Sequence, residues 1–157
     1  MKISKIRPVK TPERGTGRSA GIDFFVPEGF ETIMLEHGKS VRILSGIRVE
    51  VPQGYALIAF NKSGIALKGL QVGACVIDED YQGEVSLHVF NTFNQEPIKI
   101  EANQKLVQFI LVPVSYDNIE VIDDSEMHPE ETERGEGGFG STNEKESVTR
   151  NDAAEIL

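Results

Sequence analysis

VGACVIDEDYQGEV, residues 72–85, sets two apolar arms, 72–77 and the run beginning at Val85, around a polar centre running from Asp78 to Glu84. Strand-like arms about a turn-rich centre containing Gly83 read as a β-hairpin with a long tip. Acids at a hairpin tip are ordinarily solvated. Asp78, however, directly follows Val76 and Ile77, and so leaves the apolar arm where the hairpin is still narrow. A carboxylate held rigid and partly dry beside a ligand meets the conditions for a positioned general base. The stretch alone leaves both readings open, an acidic loop and a catalytic carboxylate.

The same punctuated pattern extends outward in both directions. Ile47, Val49 and Val51 alternate with Arg48 and Glu50, which marks a strand with one buried face, and 40–44 reads as a separate strand before it. Val85, Leu87 and Val89 alternate with Ser86, His88 and Phe90, a strand with cover on both faces. Residues 55–60 and 106–114 are more continuously apolar strands; 32–35, 98–100 and 119–122 are shorter ones. Residues 1–10 suit an edge strand, 11–19 a loop and 67–70 a helical turn. With 15 Gly and 7 Pro as punctuation, the expectation is one all-β domain for the 157 residues.

The single cysteine, Cys75, excludes an intrachain disulfide. A net charge of −9 argues against a broad basic surface for nucleic acid. No long apolar segment suggests a signal peptide or a membrane span, so a soluble, intracellular, cytoplasmic protein is expected. A small anionic ligand stays open, because it needs a few placed cations and N–H groups, not a basic protein.

Several residues stand out chemically. Asp23 interrupts the apolar run 22–26 and reads either as an outward-facing acid or as a hydrogen-bonding or metal-linked carboxylate. Lys62, Ser63 and Gly64 place a cation, a hydroxyl and a close-approach glycine in succession, as anion binding requires. Gln108 is a polar side chain inside an apolar strand, so it must brace backbone or reach a ligand. His37 and His128 read as surface, His88 as a packed or hydrogen-bonded structural residue. Residues 115–133 are acidic and read as an extended linker. RGEGGFGSTN, residues 134–143, reads either as a flexible Gly-rich tail or as a loop that closes on a ligand, with Arg134 for phosphate and Phe139 for a base.

Five segments, AGIDFF (20–25), NKSGIA (61–66), VGACVIDEDYQGEV (72–85), NQKLVQFIL (103–111) and RGEGGFGSTN (134–143), resemble in order the five motifs of the trimeric dUTPases. The resemblance implies an all-β jelly-roll-like fold and a homotrimer with shared active sites. It divides the chain into a core (1–114), an acidic arm (115–133), a lid (134–143) and a charged tail (144–157). It implies Mg²⁺-assisted hydrolysis of dUTP to dUMP and pyrophosphate, which keeps uracil out of DNA and supplies dUMP for thymidylate synthesis. Asp78 would activate the water that attacks the α-phosphorus. Tyr81 would pack under the deoxyribose. Backbone around Val72, Gly73, Cys75, Val76 and Ile77, with Ser86, would read the uracil edge. Lys62, Ser63, Gly64 and Gln108 would hold phosphates, and Asp23 would act through water on the Mg²⁺. Arg134, Phe139, Gly140, Ser141 and Thr142 would form the lid contacts.

Three positions depart from the family pattern. Asn61 stands where Pro is usual, implying a less rigid phosphate loop. Lys62 replaces Arg, giving a point charge in place of a bidentate fork. Cys75 replaces a common Gly, implying a narrower uracil slot that is tolerated because a buried Cys behaves as a small hydrophobe. Two other readings compete. One is the related dCTP deaminase, which the Asp-x-Asp-Tyr tip and the GGFGST lid disfavour. The other is a regulatory protein that engages a protein partner through residues 144–157.

Overall fold

The computed structural model describes residues 1–74, 76–128 and 130–137. Residues Met1–Tyr116 form one compact unit, and a second begins at Asp117.

The first unit is built from antiparallel strands in three sheets. Its strands are β1 (Lys2–Lys5), β2 (Glu13–Arg14), β3 (Ile22–Phe25), β4 (Ile33–Leu35), β5 (Ser40–Glu50) and β6 (Tyr55–Phe60), then β7 (Leu70–Val72), β8 (Val76–Ile77), β9 (Glu84–Asn91), β10 (Ile98–Ile100) and β11 (Lys105–Pro113). One sheet runs β1-β5-β9-β7, a second β2-β3-β11-β6-β8, and β10 pairs β4 in a small third. All three contribute to one buried cluster: Phe24, Leu57 and Phe109 from the five-stranded sheet, Ile47, Leu87 and Val89 from the four-stranded sheet, and Leu35 and Ile100 from the third. The expected all-β, jelly-roll-like class holds. Phe24 and Phe109 are fully buried with ring centroids 4.6 Å apart. Burying a side chain of that size contributes about 1.5–3 kcal/mol.

Strand β9 shows why the alternating sequence works. Val85, Leu87, Val89 and Asn91 are buried, and Ser86, His88 and Phe90 are half-buried on the other face. Asn91 closes the buried series without cost to the core. Its amide donates to the carbonyls of Leu35 (3.0 Å) and Glu96 (3.2 Å) and accepts from the Asn94 N–H (3.2 Å).

Four expectations are corrected. The two pieces read at 40–44 and 46–51 are one strand, β5, with a bulge at Gly46. Gly46 takes φ +78°, and the chain continues through it where the pattern suggested a break. The helical turn precedes its expected position: α1 is Ser63–Ala66, and Leu70 already belongs to β7. The loop at 11–19 contains the two-residue strand β2. Residues 119–122 form no strand; Ile119 and Val121 are 97% and 94% exposed, since an extended segment without a hydrogen-bonded neighbour is not a strand.

Candidate active site

The hairpin that opens the sequence reading is split between two sheets. Its first arm pairs with β9 only as far as Val72↔Val89, and the Gly73 N–H then donates to the His88 carbonyl (2.9 Å). Val76 and Ile77 have left that sheet. They pair as β8 with Ile58 and Leu57 of β6. The arms therefore part at Val72, where a hairpin still narrow at Asp78 was expected, and the divergence opens a cavity of about 220 Å³. Ala74, Val76, Ile77, Asp78, Tyr81 and Ser86 line it, together with Arg42, Glu84, Val85 and Phe109.

Two contacts hold the departing arm on β9. The Ala74 N–H donates to His88 Nδ1 (3.1 Å), so that nitrogen is the acceptor and the ring carries its proton on Nε2. Gly73 must be glycine, because a Cβ there would lie 2.2 Å from His88 Nδ1 and 2.5 Å from Phe90 Cε2. His88, packed at a tilt against Phe90 with ring centroids 4.6 Å apart, is thus the structural residue expected.

The tip is anchored at several points. The Tyr81 N–H donates to the Asp78 carbonyl (3.2 Å), and its hydroxyl donates to the Glu84 carbonyl (3.1 Å). A Cβ at Gly83 would lie 2.3 Å from the Tyr81 hydroxyl, so the missing side chain gives the ring its place. Glu79 accepts from the Gly54 N–H (2.6 Å), pinning the tip to the turn between β5 and β6. The Tyr116 phenol is pushed above its ordinary range by desolvation and then by its hydrogen bond to Glu79. Asp78 sits at the mouth of the cavity and is exposed in the single chain, where a partly dry carboxylate was expected. It follows the last paired residue of β8, so nothing in its own strand shields it.

A second group forms on the five-stranded sheet. Asp23 of β3 is opposite Gln108 of β11, and Gln108 is opposite Phe60 of β6. The segments AGIDFF, NQKLVQFIL and NKSGIA therefore meet at one level of three adjacent strands. Asp23 is 6% exposed and ion-paired with Lys62 and, at 3.4 Å, with Lys105. Asp23 faces away from the core, as an outward-facing acid would, and is buried by the two lysines paired with it. The Lys105 ammonium is raised above its ordinary range chiefly by its hydrogen bond to Glu13, with Asp23 adding to it. Gln108 braces backbone, its Nε2 donating to the Asn61 carbonyl (2.7 Å). Ser63 and Gly64 are exposed in the first turn of α1.

Paired residues across a sheet share a face. Asp23, Gln108 and Phe60 thus project from one face of the five-stranded sheet, and Phe24, Phe109 and Ala59 from the other, toward the core. The cavity by Asp78 is lined by Phe109, and none of Asp23, Lys62, Ser63, Gly64 or Gln108 borders it. One chain keeps the two groups apart.

No three His, Cys, Asp or Glu side chains among the described residues cluster as a metal site. The two carboxylates at the cationic group, Asp23 and Glu13, are too few to enclose a metal ion and suit one that keeps its waters and arrives on phosphate oxygens. Arg134 lies in the second unit, in a turn where its Nε donates to the Gly137 carbonyl (3.0 Å). Cys75, Phe139, Gly140, Ser141 and Thr142, and the tail 144–157, lie outside the described residues. No helix among those described is long and apolar enough to cross a membrane.

A family model described as dUTPase matches residues 7–143. The chain belongs to the dUTPase family. It is 38% identical over 133 residues to the deoxyuridine 5'-triphosphate nucleotidohydrolase of Mus musculus, covering 83% of this chain and 76% of that one. It is 32% identical to the protein of that name from Escherichia phage T5, over 92% of this chain and 99% of the relative. Among solved structures, a variant dUTPase of Staphylococcus bacteriophage 80alpha with dUpNHpp superposes with a TM-score of 0.75 at 24% identity, covering 90% of this chain and 96% of that one. At that identity the likeness speaks for the dUTPase fold alone.

Within this dUTPase-family chain, Glu84 is a residue the sequence reading left in the polar tip. Its carboxylate accepts from the Gly46 N–H (2.6 Å) and from Arg7 (2.7 Å), while its carbonyl holds Tyr81. No sequence signal marked it, because the bulge at Gly46 whose amide it accepts lies 38 residues away. Glu84→Ala is expected to destabilise the fold by about 2 kcal/mol, as for loss of hydrogen bonds to a charged group. A denaturant midpoint near that of the parent chain would show that the clamp contributes nothing.

Proposed function

We propose that this chain hydrolyses dUTP to dUMP and pyrophosphate. The observation that carries the reading is Asp78 at the mouth of a cavity bordered by Tyr81 and Ser86, inside a family match spanning residues 7–143. Asp78 takes the proton of the water that attacks the α-phosphorus. Tyr81, held by Glu84, forms a flat floor for the deoxyribose and leaves no room for a 2′-hydroxyl. The uracil edge is read by backbone from Val72 to Ile77 and by Ser86. Lys62, Ser63, Gly64 and Gln108 bind the phosphates, and Arg134 with Phe139, Gly140, Ser141 and Thr142 closes on them. Asp23 would hold, through water, a Mg²⁺ carried by the triphosphate, which would supply charge neutralisation. Phosphoryl transfer needs such positioning and neutralisation more than a covalent nucleophile.

Within a single chain the Asp78 cavity and the cationic group share no residue. A homotrimer in which a second copy brings its phosphate group to the Asp78 cavity of the first resolves this. The core 1–114, arm 115–133 and lid 134–143 then have distinct tasks, the arm carrying the lid to a neighbour. The dUMP formed is a precursor for thymidylate, and the reaction keeps uracil out of DNA.

The test is pyrophosphate release with Mg²⁺ from dUTP, dCTP, dTTP and UTP in parallel. Release from dUTP alone is expected. Equal release from UTP would remove the sugar-selecting role of Tyr81, and ammonia release from dCTP would favour a deaminase. Light scattering at micromolar protein is expected to give a trimer mass; a monomer mass would defeat the shared-site arrangement.

A further inference from the structure

We infer that Asn61 is a positioning residue that fixes the phosphate-binding loop of this chain, an inference that rests on the dUTP-hydrolysing reading. Asn61 lies between the last residue of β6 and Lys62. Its side chain reaches β7 and its main chain reaches β11. Oδ1 accepts from the Val72 N–H at 2.7 Å, and Nδ2 donates to Gln71 Oε1 at 2.6 Å. Its carbonyl accepts from Gln108 Nε2 at 2.7 Å. The amide orientation is dictated by chemistry, since a backbone N–H offers only a donor and must face the oxygen. Gln108 is itself seated tightly: a Cβ on Gly21 would meet its Oε1 at 2.0 Å.

The residue immediately before Lys62 is therefore held from two strands. The family pattern has a ring-constrained proline at this position, and its replacement implied a looser loop. The structure shows another way to hold the same place, two side-chain hydrogen bonds where a proline would restrict φ. Ser63 and Gly64 are exposed and α1 is a single turn, so little else on their own element anchors them. Strand β7 does not depend on Asn61. It pairs with β9 at Leu70↔Asn91, Gln71↔Phe90 and Val72↔Val89, and the Gly73 N–H extends that ladder. Cutting the tie therefore frees the loop and leaves the nucleobase arm in place.

This asymmetry gives a readout that a general loss of stability does not share. Asn61→Ala should raise KM for dUTP about tenfold, the effect of losing two hydrogen bonds. Inhibition by dUMP, which lacks the β- and γ-phosphates, should stay near the parent value. Asn61→Asp keeps the acceptor for the Val72 N–H, and the Gln71 amide can turn to donate, so this variant should keep the loop tied, although its negative charge beside Lys62 weakens phosphate binding by itself. Amide exchange at Val72 should rise in Asn61→Ala and not in Asn61→Asp. An unchanged KM in Asn61→Ala, an equal weakening of dUMP, or Val72 amide exchange as fast in Asn61→Asp as in Asn61→Ala would each overturn the inference while leaving the function intact. A parent chain without dUTP turnover would remove the functional reading itself, and the loop role with it.

Discussion

Asp78→Asn is expected to lower kcat for dUTP by about 10²–10⁴-fold, the usual contribution of a general base, while the substrate still binds. Asparagine has nearly the same shape and keeps an oxygen acceptor, but it cannot take a proton from water. The backbone bond that shapes the tip runs from the Tyr81 N–H to the Asp78 carbonyl, so it does not involve the altered side chain. Ile77, the preceding residue, stays buried and paired with Leu57. The fold has no reason to change. Pyrophosphate release under single-turnover conditions would be read beside equilibrium binding of a non-hydrolysable dUTP analogue. Retained turnover would remove Asp78 from the base role. Lost turnover together with lost binding would show that Asp78 holds the substrate or the loop and does not serve the chemistry.

Gly73→Ala should have the second large effect, and for a geometric reason. The added methyl would sit 2.2 Å from His88 Nδ1, 2.7 Å from His88 Cε1 and 2.5 Å from Phe90 Cε2. Neither ring can yield cheaply, since they pack at a tilt against one another with centroids 4.6 Å apart and stand on the central strand β9. The arm must lift instead. Lifting breaks the Gly73 N–H bond to the His88 carbonyl and the Ala74 N–H bond to His88 Nδ1. Overpacking of this kind costs about 1–3 kcal/mol. Because Ala74 lines the cavity, kcat/KM should fall with the stability. Both are measurable, the first from urea midpoints and the second from initial rates well below the transition. A variant matching the parent in both would mean that the arm does not rest on β9.

The legible part of the molecule is what depends on neighbours along the chain. Alternation in 85–89 and 47–51 marked buried faces, and both segments are strands of the four-stranded sheet. Gly46 misled, because in sequence a glycine marks a break and a bulge alike; the acceptor that makes it a bulge, Glu84, lies 38 residues away. Residues 119–122 misled for the converse reason, an apolar pattern with no strand edge to join. The ambiguity over Asp23 was real, since burial depends on Lys62 and Lys105 covering it, and neither is adjacent in sequence. The departure at Asn61 looked like lost rigidity because the side-chain bonds replacing proline reach β7, and the reading by residue type counts only the ring.

By itself, the sequence determined an all-β domain and the family, with Asp78, Tyr81, Lys62 and Gln108 as the residues of interest, because side-chain period and ordered motifs are properties of the linear chain. Only the tertiary structure decided that the arm 72–77 divides between two sheets and opens a cavity at Asp78. It alone decided that Asp23, Gln108 and the Lys62 loop meet on three adjacent strands, with none of them bordering that cavity. Those facts follow from register, which assigns each residue its neighbour and its face, and register is set by long-range pairing that local sequence does not contain.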